Sequence, residues 1–160
     1  LEKIRKEMKL SEGAEDLVTT LKQLGYKQGL ISGSFHYFAD HLKERLGLDF
    51  AFANELEMKN GALTGRLLGD IVDGPYKAKI VNVVSSEEGV FLDQTVAIGD
   101  GFNDILMLGQ AGLGIAYNAK GKLERVANMS LGRARLKNIL YILGITEGEM
   151  GSWTVCDRPV

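Results

Sequence analysis

Apolar residues recur at helical spacing twice near the start of the chain. Ala14, Leu17, Val18, Leu21 and Leu24 fall on one face of a helix predicted over residues 13–24, and Phe38, Leu42 and Leu46 do the same over 35–46. Each stretch closes on a glycine, Gly25 and Gly47, where a helix C-terminus favours a left-handed residue. Between them Gly29-Leu30-Ile31 is a short apolar run next to glycine, the pattern of a strand buried on both faces, and Phe50-Ala51-Phe52-Ala53 is another. Glu55 to Leu68 holds Asn60-Gly61 between two half-polar runs, which predicts an antiparallel hairpin. Pro75 opens a helix whose apolar positions Ile80, Val81 and Val84 run on to Gly89. Thr95 to Ile98 and Leu113 to Ala116 read as two more buried strands, with a short helix from Asn103 to Gln110 between them, and Leu136, Ile139, Leu140 and Leu143 mark a last helix. This alternation is that of an open α/β sheet with crossover connections.

Composition narrows the class without changing that picture. The 160 residues are 45% hydrophobic and 25% charged with a net charge of −2, which excludes disordered, collagenous and disulfide-scaffold proteins. A chain of this length buries roughly 68–70% of its unfolded surface and needs no metal or disulfide staple to hold a core. Lys+Arg 19 against Asp+Glu 21 leaves no basic excess for a phosphate backbone, so neither nucleic acid nor an anionic membrane is an expected partner. The single cysteine, Cys156, cannot form an internal bridge; with no stretch near the ~18 apolar residues of a membrane span and a charged beginning, LEKIRKEMKL, the expected location is the cytoplasm. The first residue is Leu1, not methionine, and the expectation is that these residues belong to a longer polypeptide. The tail from 146 to 160 shows no periodicity and carries Trp153.

Ligands of an open parallel sheet bind beyond the carboxyl ends of its strands, and three segments there carry chemistry. Ile31-Ser32-Gly33-Ser34-Phe35 runs from a strand through small residues into a helix, offering a hydroxyl and backbone N–H groups to an anion; equally, Ser34 could simply cap the helix. Gly99-Asp100-Gly101-Phe102-Asn103-Asp104 follows an apolar strand with two carboxylates and an amide, oxygen ligands suited to Mg²⁺, although Asn103 or Asp104 could also serve only as a helix cap. Pro75-Tyr76-Lys77-Ala78-Lys79 puts lysine in a first helical turn, against the helix dipole unless an anion shares the site; the plain alternative is a solvated lysine. His36 and His41 have no second ligand at metal spacing and read as packing or surface residues.

Taken in this order, the three segments resemble the haloacid dehalogenase-like hydrolases, and within that superfamily its phosphoserine-hydrolysing family. Ser32-Gly33 resembles the second motif, Lys77 the lysine motif and Gly99 to Asp104 the acidic motif. Glu12-Gly13-Ala14, Leu46-Gly47-Leu48-Asp49, Phe52-Ala53-Asn54-Glu55-Leu56 and Tyr76-Lys77-Ala78-Lys79 are similar as well, and the likeness covers about residues 8 to 143. Ser34 stands where the family more often has a second glycine.

The resemblance implies a Rossmann-like parallel sheet with helices on both faces and a small hairpin excursion, a core over residues 1–145, and a tail of unknown role over 146–160. It implies Mg²⁺-dependent hydrolysis of O-phospho-L-serine to serine and phosphate through an aspartyl-phosphate in the full-length parent. Ser32, Gly33 and Lys77 would hold the phosphoryl group and Asn103 the substrate or phosphate, with Ser32 and Lys77 stabilising the charge of transfer; Asp100 would ligate Mg²⁺ and Asp104 would support the metal directly or from behind. The family's first motif, Asp-x-Asp-x-Thr, which supplies the nucleophile, is absent from these 160 residues, as is the helical cap that follows it. The expectation is therefore a chain inactive by itself, with a gap between the strand ending at Ser32 and the strand ending at Asp100 that an N-terminal segment in trans or a second copy could fill. Alternatives are another small-molecule phosphomonoesterase or phosphotransferase of the superfamily, and a nucleophile-less module that binds phosphate or metal.

Overall fold

The computed structural model describes residues 2–146 and 148; Trp153 and Cys156 lie outside the described residues. In chain order the main elements are α1 (Glu2–Glu7), α2 (Ala14–Gln23), β1 (Gly29–Phe35), α3 (His36–Leu46), β2 (Phe50–Lys59), β3 (Ala62–Leu68), α4 (Gly74–Glu87), β4 (Val96–Gly99), α5 (Ile105–Gln110), β5 (Leu113–Tyr117), α6 (Lys122–Val126), β6 (Met129–Leu131) and α7 (Ile139–Ile142). The periodic residues of α2 do what their spacing predicts: Ala14, Leu17 and Leu21 are buried. Gly47 takes a left-handed conformation (φ 67°) at the end of α3, where a Cβ would be strained. Asn60 and Gly61, both at positive φ (52° and 77°), turn β2 back antiparallel onto β3 as the Asn-Gly signal requires.

The strands form two three-stranded sheets, β1-β2-β3 and β4-β5-β6. β1 runs parallel to β2, with Ile31 opposite Phe52, and β4, β5 and β6 are mutually parallel, with Ile98 opposite Ile115. Among the described residues β1 and β4 each pair on one side only. That is where the sequence places the gap, and Val96 of β4 is left 37% exposed, although its apolar run predicts a buried strand.

Consecutive residues of β5 point to opposite faces, so Ile115 and Ala116, both fully buried, feed two cores. Ile115 packs with Leu17 and Leu21 of α2, Ile139 and Leu140 of α7, and Ile145; Ala116 packs with Leu108 of α5, Ala119 and Leu123 of α6. Helices thus cover both faces of this sheet, as expected. Three features depart from the sequence reading. Phe35, not Ser34, is the N-cap residue of α3, with no side-chain cap, so Ser34 stays in β1 and its helix-capping alternative falls away. Residues Phe102–Asp104 form a 3-10 turn before α5, and α1, α6 and β6, six, five and three residues long, are not predicted by the pattern because none spans enough periods to show one. No helix among the described residues is long and apolar enough to cross a membrane.

Candidate active site

Asp73 starts α4, its carboxylate accepting the Tyr76 N–H at 2.9 Å with Pro75 in the first turn. One turn on, Lys77 points inward: its Nζ donates to Asp104 Oδ1 at 2.7 Å, and the two side chains are 7% and 6% exposed. The solvated-lysine alternative therefore holds for Lys79, which is exposed above the Tyr76 ring, and not for Lys77. The other oxygen of Asp104, Oδ2, accepts the backbone N–H groups of Asp100 (3.2 Å) and Gly101 (3.0 Å). One carboxylate thus fixes both the lysine and the loop that carries Asp100. Glycine at 99 is required by this closeness, since a Cβ there would lie 2.5 Å from the Asp104 Cβ.

Both Asp104 oxygens are occupied, whereas the Asp100 carboxylate is exposed and makes no hydrogen bond or ion pair with the described residues. This division fits Asp100 as a cation ligand and Asp104 as the group that holds it and Lys77 in place. No cluster of three or more His, Cys, Asp or Glu side chains occurs among the described residues, so a Mg²⁺ bound here would complete its shell with other oxygens, as this ion commonly does with water and substrate phosphate. Asn103 is exposed; its Oδ1 lies over Gly101 and its carbonyl abuts Gly74, at 2.6 and 3.2 Å from where a Cβ would sit on each.

Ser32, Gly33 and Ser34 drop out of the β1–β2 ladder, whose register shifts between Ile31 and Phe35. Ser32 Oγ accepts the Ser34 N–H at 3.1 Å, which withdraws that amide from any anion and leaves the hydroxyl proton to donate. The Gly33 carbonyl accepts from Asn54 Nδ2 at 2.8 Å, and Asn54 Oδ1 accepts the Val72 N–H at 2.8 Å. The loop of Ser32 and the approach to Lys77 are thereby joined through one buried amide. The sequence alone assigns Asn54 no role; the available signal is a polar residue directly following the apolar run Phe50 to Ala53. Two surface hollows of about 550 and 500 Å³ lie elsewhere, and neither is lined by Ser32, Lys77 or Asp100.

The sequence model of the haloacid dehalogenase-like hydrolases matches residues 1–109. The chain belongs to that family. It is 51% identical over 143 residues to the phosphoserine phosphatase of Archaeoglobus fulgidus, covering 89% of this chain and 42% of that protein. The crystal structure of a probable phosphoserine phosphatase from Vibrio cholerae superposes with a TM-score of 0.87 at 39% identity, over 95% of this chain and 47% of the other. A structure described as a phospho-aspartyl intermediate analogue of phosphoserine phosphatase matches with a TM-score of 0.83 at 41% identity, over 88% of this chain and 68% of that one. The chain thus spans under half the length of the first two proteins. Within this haloacid dehalogenase-like core, the shared α/β architecture is what brings the β1 turn, the first turn of α4 and the β4 loop to one end of the strands.

Proposed function

We propose that residues 1–145 are the phosphate- and Mg²⁺-binding part of a phosphoserine phosphatase, with 146–160 an appended tail, acting on O-phospho-L-serine in the cytoplasm. The observation that carries this reading is the Asp104 carboxylate, which holds Lys77 and the Asp100 loop together at the strand ends where a phosphoryl group would bind. Lys77 has three N–H donors and uses one on Asp104, so two remain for phosphoryl oxygens, joined by the Ser32 hydroxyl. These groups stabilise the charge that spreads over the oxygens of a loose transition state. Mg²⁺ on Asp100 would add positive charge at the same oxygens. Asn103 would contact substrate from the exposed rim.

Attack on phosphorus needs a carboxylate that these side chains do not supply from the positions described. The open edges of β1 and β4 support a strand, from an N-terminal segment or a second copy, entering parallel to both and presenting a nucleophilic aspartate at its carboxyl end. The carboxylate would bond phosphorus as the seryl P–O bond breaks and the seryl oxygen takes a proton; water would then release orthophosphate and restore the carboxylate. The test is orthophosphate release from O-phospho-L-serine by the full-length protein with Mg²⁺, and its loss on chelation. No release, with orthophosphate still bound, would overturn the enzyme in favour of a binding module; faster turnover of another phosphomonoester would overturn the substrate.

A further inference from the structure

Asn54 is 5% exposed and both ends of its amide are used on different segments, Nδ2 on the Gly33 carbonyl and Oδ1 on the Val72 N–H. Those segments run side by side, since a Cβ on Gly33 would sit 3.4 Å from the Val72 carbonyl. Val72 is buried and precedes Asp73, which caps α4 through Tyr76 and whose carbonyl accepts the Lys77 N–H at 2.9 Å. From Asn54, one path leads to Gly33 beside Ser32, and the other leads through Val72 and Asp73 to Lys77. A buried amide with no neighbour at the site would only satisfy itself; this one bridges the two sides of the site.

We propose that Asn54 is a positioning residue that fixes the distance between the Ser32–Gly33 turn and Lys77, and so sets the fit of a tetrahedral phosphate between them. This rests on the phosphate-site reading above, though not on phosphoserine as the substrate. Among side chains of this length, only the asparagine amide donates at one atom and accepts at the other. Asn54→Asp keeps the acceptor for Val72 but turns an oxygen toward the Gly33 carbonyl, where repulsion would part the two strands of backbone.

The test uses the full-length protein with Mg²⁺ and orthophosphate as the probe. Asn54→Asp should weaken orthophosphate binding and lower kcat by roughly 10- to 100-fold, the scale of an ångström's misplacement, in molecules that still melt cooperatively above the assay temperature. A variant that merely loses folded fraction would lower apparent kcat yet keep the wild-type Kd for orthophosphate, and that result overturns the proposal. A second measurement needs no variant. At 100 times its Kd, orthophosphate should slow hydrogen exchange of the Val72 amide by roughly 100-fold if opening the Asn54 contact abolishes binding. The Leu143 amide, bonded to Ile139 far from the site, should slow less. Equal slowing, or wild type that binds no orthophosphate, overturns the proposal. Absence of phosphoserine hydrolysis in wild type overturns the proposed substrate alone, and the two orthophosphate measurements still decide Asn54.

Discussion

Replacing Lys77 with methionine, which keeps the length of the stem and removes the ammonium, separates the inward lysine from its exposed neighbour. In the structure Lys77 and Asp104 meet at 2.7 Å with side chains 7% and 6% exposed, so the substitution leaves a carboxylate in a nearly dry site. Breaking one partner of such a pair costs about 3–5 kcal/mol. Asp104 Oδ2 keeps two backbone N–H bonds, which places the expected loss near the lower end, about 3 kcal/mol. At about 2–4 °C per kcal/mol for a domain of this size, that lowers Tm by roughly 6–12 °C. Lys79→Met removes an exposed ammonium 5.7 Å from the Tyr76 ring centroid. A contact of that kind contributes about 0.5–1 kcal/mol, so the shift should stay below roughly 4 °C. Two residues turn an α-helix through about 200°, so Lys79 also faces away from the phosphate site. Melting followed by circular dichroism, and kcat/KM on phosphoserine with the full-length protein, check both halves: Lys77→Met should lower kcat/KM by orders of magnitude and Lys79→Met by little. A Lys77 variant that melts within about 2 °C of wild type, or the reverse ranking in activity, would refute the reasoning.

Asp100→Asn should remove most Mg²⁺-dependent turnover while leaving stability within about 0.5 kcal/mol, because the carboxylate is exposed and has no partner among the described residues; unchanged turnover at sub-saturating Mg²⁺ would count against the metal assignment. Asp49 is held below the usual carboxylate pKa by the Gln28 N–H at 2.8 Å and by Lys27 at 3.4 Å. Its contribution to stability is thus fully present above about pH 4, the unfolded carboxylate's range, and lost as pH falls through the depressed folded value, so urea unfolding of Asp49→Asn and wild type should differ at pH 7 and converge in acid. Residues 1–160 by themselves should release no phosphate from phosphoserine above an Asp100→Asn control; clear release would reveal a nucleophile among Ser32, Lys77 and their neighbours.

The helical and strand pattern was legible where segments were long or uniformly apolar, as in α2, α3 and β5. It was silent for α6 and β6, where Leu123 is the one buried residue in the helix and Ser130 interrupts three residues of strand. The candidate site was legible only as residue types at strand ends. What could not be read was the direction of side chains: that Lys77 is buried while Lys79 is exposed, that Asp104 faces inward and Asp100 outward, and that Ser34 donates its amide to Ser32. Those depend on which elements pack together, information that no local window holds. Asn54 was the instructive omission, because an amide between two backbone segments has no spacing rule and declares itself only when both segments are in place.

The two three-stranded sheets, each one half of the fold, differ in how well they are held. One buried hydrophobic cluster draws on α2, β5 and α7 and the other on α5, β5 and α6, neither on β1, β2 or β3. On the other side the buried apolar residues are Ala39, Ala53 and Val72, and every residue of β3 is exposed. Few buried contacts mean a low free energy of local opening, so the β1-β2-β3 half is the weaker unit. What ties it at the site to the segment leading into α4 is polar, the Asn54 bridge between Gly33 and Val72, while the Lys77–Asp104 pair joins α4 to the β4 loop. A strand laid between β1 and β4 would add about ten ladder hydrogen bonds at about 0.5–1.5 kcal/mol net each, an amount comparable to the ~5–15 kcal/mol of a whole domain. The larger effect would fall on the weak half, which carries Ser32 and Gly33. On this argument, a strand that filled the proposed gap would also make the turn of Ser32 and Gly33 rigid, and hydrogen exchange should show the order directly: in residues 1–160 alone the β1 amides exchange well before those of β5, and adding in trans an N-terminal segment that carries such a strand slows β1 most. Equal protection of β1 and β5 without that segment would mean that the sheet needs no strand at its centre.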